Sequence, residues 1–181
     1  MNDTILAGRM QVGVYKTTPT SVLPKRATEY SACFDVCANL VNRELKAYTK
    51  NIRAGYSIKG TVSVHGNSIT LLPGNRVLVP TGLKFNIPHH SCLKLYPRSG
   101  ISYNQGLTLI NNVGIVDSDY VDELFVPIIN LSDTEQTIVD GERIAQLEVC
   151  KVEQFVEFVK SDTDYSQKTD RTGGFGSTGK V

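Results

Sequence analysis

Apolar residues recur at every second position in short runs along most of the chain, and turn-forming residues separate the runs. Side chains two apart share one face of an extended strand, so this period predicts half-buried β structure. The runs predict strands over 11–15, 33–38, 61–65, 69–72, 76–79, 83–87, 92–96, 107–110, 124–131, 136–139 and 144–152. They are bounded by Gly66-Asn67, Pro73-Gly74-Asn75, Thr81-Gly82, Pro88 and Asp140-Gly141, where turns are favoured. Strands this short and this often interrupted predict an all-β antiparallel sandwich or barrel. Helix is expected only for a turn or two after Pro97-Arg98-Ser99-Gly100, and no internal repeat is present.

Residues 39–60 carry two patterns. Val41, Leu45, Tyr48 and Ile52 fall at helical spacing, with Asn39 as a cap and Gly55 as a stop. Leu45-Lys46-Ala47-Tyr48-Thr49-Lys50 alternates as a strand does, and the β surroundings favour extra β structure here.

The length of 181 residues suits one domain able to bury a real core. A net charge of +1 with interspersed signs argues against general nucleic-acid binding. No apolar run approaches the roughly 18 residues of a membrane span, and the first residues, with an acid ahead of a short apolar stretch, do not read as a secretory signal. The four cysteines (Cys33, Cys37, Cys92 and Cys150) form no CxxC pair, and mostly sit in apolar runs as small hydrophobes. A reduced, cytoplasmic protein is the resulting expectation. His89 and His90 follow Pro88 in an expected turn, His65 ends a strand, and none has partners at metal-ligand spacing.

Three segments carry candidate chemistry, and each has a plainer reading beside it. Pro97-Arg98-Ser99-Gly100 reads as a strand-to-helix turn with Ser99 as its N-cap. It reads equally as an anion site, where an arginine fork, a hydroxyl and free N–H groups converge on phosphate. The run from Asn111 to Tyr120 holds Asp117 and Asp119, which share a face only if the strand stays regular; otherwise the run is a hydrated turn. The tail, Arg171-Thr-Gly-Gly-Phe-Gly-Ser-Thr-Gly-Lys-Val181, is too glycine-rich to pack a core. It supplies phosphate donors and one aromatic face, as a flap that orders on a nucleotide requires; the alternative is a frayed terminus.

Taken in order, these segments resemble the trimeric dUTPase family, the deoxyuridine triphosphate nucleotidohydrolases, over essentially the whole chain. Five motifs have counterparts: Ser31-Ala-Cys-Phe-Asp-Val36, Pro97-Arg-Ser-Gly100, Asn111 through Glu123, Gly141-Glu-Arg-Ile-Ala-Gln146 and Gly173-Gly-Phe-Gly-Ser-Thr-Gly179. The connecting Leu72-Pro-Gly-Asn and Val79-Pro-Thr-Gly-Leu83 are similar too.

The resemblance implies a distorted jelly-roll β-barrel in a homotrimer, with three active sites built from all three chains. The implied reaction is dUTP plus water to dUMP and pyrophosphate, limiting uracil in DNA and supplying dUMP for dTMP synthesis. Mg²⁺ is implied on the substrate phosphates. Asp117 is the implied water-activating carboxylate. Asn111, in a hairpin with Gly114, is the implied uracil reader, and Tyr120 the ring against the deoxyribose that leaves no room for a 2′-hydroxyl. Arg98, Ser99, Gly100 and Gln146 carry implied phosphate and water contacts, and Asp35 helps place the metal through its water shell. Phe175 closes over uracil, with Gly176 beside it, while Ser177, Thr178 and Arg171 face the distal phosphates. An uncaged Mg²⁺ suits this set, because that ion keeps most of its waters and prefers phosphate oxygens.

Departures from the family pattern accompany the match. Cys33 stands where glycine is usual, and Asp122 replaces a glycine after Tyr120-Val121. The fifth-motif arginine place is Asp170, with Arg171 one residue closer to Phe175. Residues 1–160 are expected to form one β domain and 161–181 a flexible linker and flap. Residues 40–67 read as a surface insertion after the first motif, a decorated loop or a contact for a protein partner. An insert with motif drift is compatible with a bacteriophage source, which would make the workplace the host cytoplasm. Alternative functions are dCTP deamination, alone or with dUTP hydrolysis, on the same scaffold, or a nucleotide-responsive binding protein. No membrane partner is expected.

Overall fold

The computed structural model describes residues 10–51, 56–64, 66–166 and 168–169. The described residues form thirteen strands and one helix: β1 (Gly13–Lys16), β2 (Phe34–Cys37), β3 (Glu44–Asn51), β4 (Tyr56–Ser63), β5 (Ser68–Leu71), β6 (Arg76–Pro80), β7 (Leu83–Asn86), β8 (Ser91–Tyr96), α1 (Ser99–Gln105), β9 (Leu107–Leu109), β10 (Gly114–Val116), β11 (Phe125–Asn130), β12 (Gln136–Val139) and β13 (Arg143–Lys151). All pairings are antiparallel.

A four-stranded sheet in the order β10-β8-β13-β2 and a five-stranded sheet in the order β4-β3-β6-β11-β9 form the body. The pairs β1-β7 and β12-β5 complete it. This is the all-β, distorted jelly-roll architecture, and the alternation explains it. Val77 and Val79, Val126 and Ile128, Leu107 and Leu109, Leu93 and Leu95 are each i, i+2 pairs, all buried in one continuous core. A fully buried leucine or isoleucine contributes about 1.5–3 kcal/mol relative to exposure, so faces of this kind fix the strand registers.

Two buried asparagines are paired, whereas Thr17 Oγ1 and Gln105 Oε1 are buried without a partner among the described residues. Asn130, fully buried, donates through Nδ2 to the carbonyls of Leu71 and Thr134, both at 2.8 Å, and accepts from the amide and hydroxyl of Ser132. Asn39 is buried too, its Oδ1 accepting from Thr18 Oγ1 at 3.0 Å and its Nδ2 donating to Thr20 Oγ1 at 2.8 Å. These bonds fasten the 17–21 segment to the barrel beside β2.

Strands β3 and β4 pair with each other on the edge of the five-stranded sheet. The helical spacing loses because Leu45 and Ala47, two apart, are both buried while Val41 is 38% exposed. Only Ala47 and Tyr48 pair onward to β6, and the Arg76 guanidinium lies 4.4 Å from the centre of the Tyr48 ring. The strand β10 is additional to the expected set. The expected turn after Pro88 is present, with His90 at φ 59; His65 lies outside the described residues. The expected helix after Pro97 is α1, closed by Gly106 at φ 67, a left-handed conformation that glycine tolerates best.

Candidate functional site

One end of the four-stranded sheet gathers the first, second and fourth motifs. Gln146 on β13 stands opposite Tyr96 of β8 on one side and Asp35 of β2 on the other. The chain leaving β8 continues directly into Pro97, Arg98 and Ser99, so these residues meet Asp35 and Gln146 there. A bulge in β13 matters: Arg143 pairs with Cys37 and Ala145 with Val36, leaving Ile144 as the extra residue. Ile144 and Ala145 are both fully buried, which turns Arg143 and Gln146 away from the core together.

The result is a carboxylate between two guanidinium groups. Arg98 donates through Nε to Asp35 Oδ1 at 2.8 Å, and Arg143 through Nη1 to Asp35 Oδ2 at 3.0 Å. Arg98 Nη1 also donates to the Arg143 carbonyl at 3.0 Å, and Gln146 Nε2 to the Pro97 carbonyl at 2.9 Å. The cluster keeps one net positive charge and holds Arg98 at a fixed angle, a preorganised arrangement for anionic oxygen. Arg98, not Ser99, is the N-cap of α1, with φ −95 and ψ 131 and no side-chain cap bond. Ser99 and Gly100 begin the helix and are exposed.

The third motif forms a separate unit. Between β9 and β10 the chain turns through Asn112 at φ 60, with the Asn112 N–H on the Leu109 carbonyl at 3.2 Å and the Val113 N–H on the Asn111 carbonyl at 2.6 Å. The expected hairpin is instead a turn between two sheets, since β9 pairs with β11 and β10 with β8. Gly114 lets it pack, because a Cβ there would lie 3.2 Å from Leu95 Cβ and 3.4 Å from Asn111 Nδ2. The strand ends at Val116, and the Tyr120 N–H returns to the Asp117 carbonyl at 3.2 Å. Asp117 and Asp119 therefore lie in a turn, both exposed, and not side by side on a strand face. Tyr120 donates through its hydroxyl to the Glu123 carbonyl at 2.8 Å and remains 40% exposed. Burial, then the charges of Asp122 and Glu123, push its pKa up, which keeps the hydroxyl protonated as a donor.

The third motif runs the length of β8, with the Asn111–Gly114 turn at the Arg98 end and Asp117 at the far end. Gly114 pairs with Leu95 and Val116 with Leu93, so Asp117 emerges beside Cys92 while Arg98 leaves the other end. Six residues at roughly 3.3 Å each separate those points by about 20 Å. One chain thus gathers Asp35, Arg98 and Gln146 with the adjoining Ser99, sets Asn111 beside Gly114, and holds Tyr120 to Asp117 at the far end of β10. Arg171, Phe175, Gly176, Ser177 and Thr178 lie outside the described residues.

The departures have local explanations. Asp122 is directed outward, its side chain 81% exposed and 3.9 Å from Lys84 Nζ. Cys33 is half-buried, and burial followed by the nearby Glu148 charge raises its pKa. Cys37 and Cys150 are raised as well, burial being the leading cause for both. Thiols of this kind behave as packing groups at neutral pH. Among the described residues no three His, Cys, Asp or Glu side chains converge as a metal cage.

Arg143 was not among the candidates from sequence, because three residues from Gln146 it belongs on the opposite face of a regular strand. The available signal was the adjacent apolar pair Ile144-Ala145 between two polar residues, the mark of a bulge.

Comparisons with known proteins converge. The dUTPase family model matches residues 48–179. The deoxyuridine 5'-triphosphate nucleotidohydrolase of Finegoldia magna is 41% identical over 142 residues, covering 78% of this chain and 95% of that protein. Among solved structures, the dUTPase of Streptococcus mutans superposes with a TM-score of 0.61 at 25% identity, over 80% of this chain and 99% of that one. A mutant dUTPase of Staphylococcus bacteriophage 80alpha, solved with dUpNHpp, gives a TM-score of 0.70 at 19% identity, over 93% and 98%. At that identity the phage likeness bears on the fold alone.

Proposed function

The chain belongs to the dUTPase family, and on that premise we propose that it hydrolyses dUTP to dUMP and pyrophosphate as a homotrimer with shared active sites. The observation that carries the site assignment is the clamped Arg98, fixed by Asp35 and Arg143 beside Ser99 and Gln146. In this reading that cluster is a half-site receiving the phosphates, and the third motif of a second chain is the half-site receiving the nucleoside.

The turn at Asn111 and Gly114 reads the uracil edge, and its tightness excludes the extra methyl of thymine. Hydrogen bonds to a base edge discriminate strongly, because the wrong edge leaves buried groups unpaired. Tyr120 lies against the sugar. Asp117 orients the attacking water and takes its proton as the bond to the innermost phosphorus forms. Arg98 and Ser99 meet charge that grows on the departing pyrophosphate oxygens. The tail closes over the base through Phe175 and over the outer phosphates through Arg171, Ser177 and Thr178.

Mg²⁺ fits this donor set. Both Asp35 oxygens already accept from guanidinium groups, so Asp35 suits contact through a water shell and not direct ligation. When bound, the ion neutralises phosphate charge. Residues 40–67 are read as an insertion whose strand β3 extends the five-stranded sheet and buries Leu45 and Ala47.

A panel of nucleoside triphosphates with Mg²⁺, assayed for pyrophosphate and ammonia together, tests the reading. The expected result is pyrophosphate from dUTP and little from dCTP, dTTP or UTP. Ammonia from dCTP would replace the hydrolase by a deaminase. Gly114→Ala sharpens the base assignment: the added Cβ crowds Leu95 and the Asn111 amide, so KM for dUTP is expected to rise roughly tenfold. Steady-state kinetics check it, and an unchanged KM separates the turn from base recognition.

A further inference from the structure

Arg43 lies outside all five motifs, just before β3, yet it reaches the loop that carries Tyr120. Its Nη2 donates to Glu123 Oε2 at 2.6 Å, with 21% and 13% of the two side chains exposed. The other carboxylate oxygen, Oε1, accepts the Gly82 N–H at 2.8 Å. Glu123 is thus held from two sides, and its own carbonyl is the acceptor for the Tyr120 hydroxyl at 2.8 Å. The next residue is fixed as well: the Leu124 N–H donates to the Leu83 carbonyl at 2.8 Å, and the Leu124 carbonyl accepts from the Thr81 hydroxyl at 2.8 Å.

Two bonds therefore define where the tyrosine ring stands. One returns from its N–H to the Asp117 carbonyl, and the other runs from its hydroxyl to the Glu123 carbonyl. The first fixes the base of the side chain and the second fixes its tip. Glu123 is the movable member unless its side chain is clamped, and a charge-assisted bond shielded from water is the stiffest clamp available.

We propose that Arg43 is a positioning residue for sugar selection: by holding the Glu123 carboxylate it fixes the carbonyl that seats Tyr120, and so sets the ring against the 2′ position of the nucleotide. This rests on the dUTPase reading above. A wall that rejects a 2′-hydroxyl by contact discriminates only as far as the wall resists displacement. Arg43, the residue just before β3, supplies that resistance.

The test compares Arg43→Met, Arg43→Lys, Glu123→Gln and the double variant Arg43→Met/Glu123→Gln in the full chain, with dUTP and UTP as substrates and melting temperature alongside. Arg43→Met is expected to lower the dUTP-over-UTP ratio of kcat/KM roughly tenfold. The loss should come from a higher KM for dUTP and faster use of UTP, with kcat for dUTP within about twofold. Arg43→Lys should restore much of the ratio. The double variant should be no worse than the poorer single one, because both changes break the same link. A ratio that stays at the wild-type value while melting temperature falls makes the pair a structural bolt and overturns the proposal. If Arg43→Met does not fold, Glu123→Gln decides, since it keeps an acceptor for the Gly82 N–H; an unchanged ratio there overturns the proposal equally. Wild-type protein that releases no pyrophosphate from dUTP removes the dUTPase reading itself, a failure visible before any variant is compared.

Discussion

Asparagine in place of Asp117 is expected to lower kcat for dUTP by about 10²–10⁴, a loss of roughly 3–5.5 kcal/mol in transition-state stabilisation. The change is isosteric and falls on an exposed turn residue that follows the last residue of β10. The fold therefore has little reason to respond, and the Tyr120 N–H keeps its bond to the main-chain carbonyl of the same residue. What disappears is the one group proposed to take a proton from the attacking water. Binding should survive, because the base, sugar and phosphates meet other residues. Calorimetric titration with a non-hydrolysable dUTP analogue, beside steady-state kinetics, separates the two quantities. The same substitution at Asp119 is the control and should leave turnover near wild type, since that carboxylate lies elsewhere on the turn. Wild-type kcat in the Asp117 variant would falsify the assignment of the base.

The alternation of apolar residues made most strands readable, because burial on one face is a period-two property of the local sequence. Residues 39–60 satisfied two periods at once, and only the partner strand decided between them. Ala47 opposite Val77 and Tyr48 opposite Arg76 are contacts no local window contains. The strand β10 escaped notice for the opposite reason. It has three residues, between Asn111-Asn112 and Asp117-Ser118-Asp119, so turn chemistry dominates every window across it.

For the site, the order of the motifs was visible while their connections were not. Arg143 reaches Asp35 across 108 residues and Arg43 reaches Glu123 across 80, and the first of these also depends on a bulge. Ser99 looked like the cap of α1, yet the extended backbone of Arg98 fills that position. The tail roles rest on sequence alone, since residues 170–181 lie outside the described part of the chain.

Two variants that are each nearly inactive are expected to regain activity when their chains are mixed. Asp117→Asn damages the nucleoside half-site, and Arg98→Met damages the phosphate half-site. The Met variant leaves Asp35 its Arg143 partner and so avoids stranding a shielded carboxylate. The two lesions sit at opposite ends of β8, about 20 Å apart along the strand, a separation that favours a site shared between neighbouring chains. If each site instead joins one chain's Asp117 to its neighbour's Arg98, every mixed trimer contains one junction with both parts intact. Random assortment makes about three-quarters of the trimers mixed, each with about one site in three restored, so about a quarter of wild-type activity should return. Co-expression with two affinity tags, followed by purification of each species, measures this directly. Activity that stays at the average of the two homotrimers would mean that each site is complete within one chain, and the division into half-sites would fall with it.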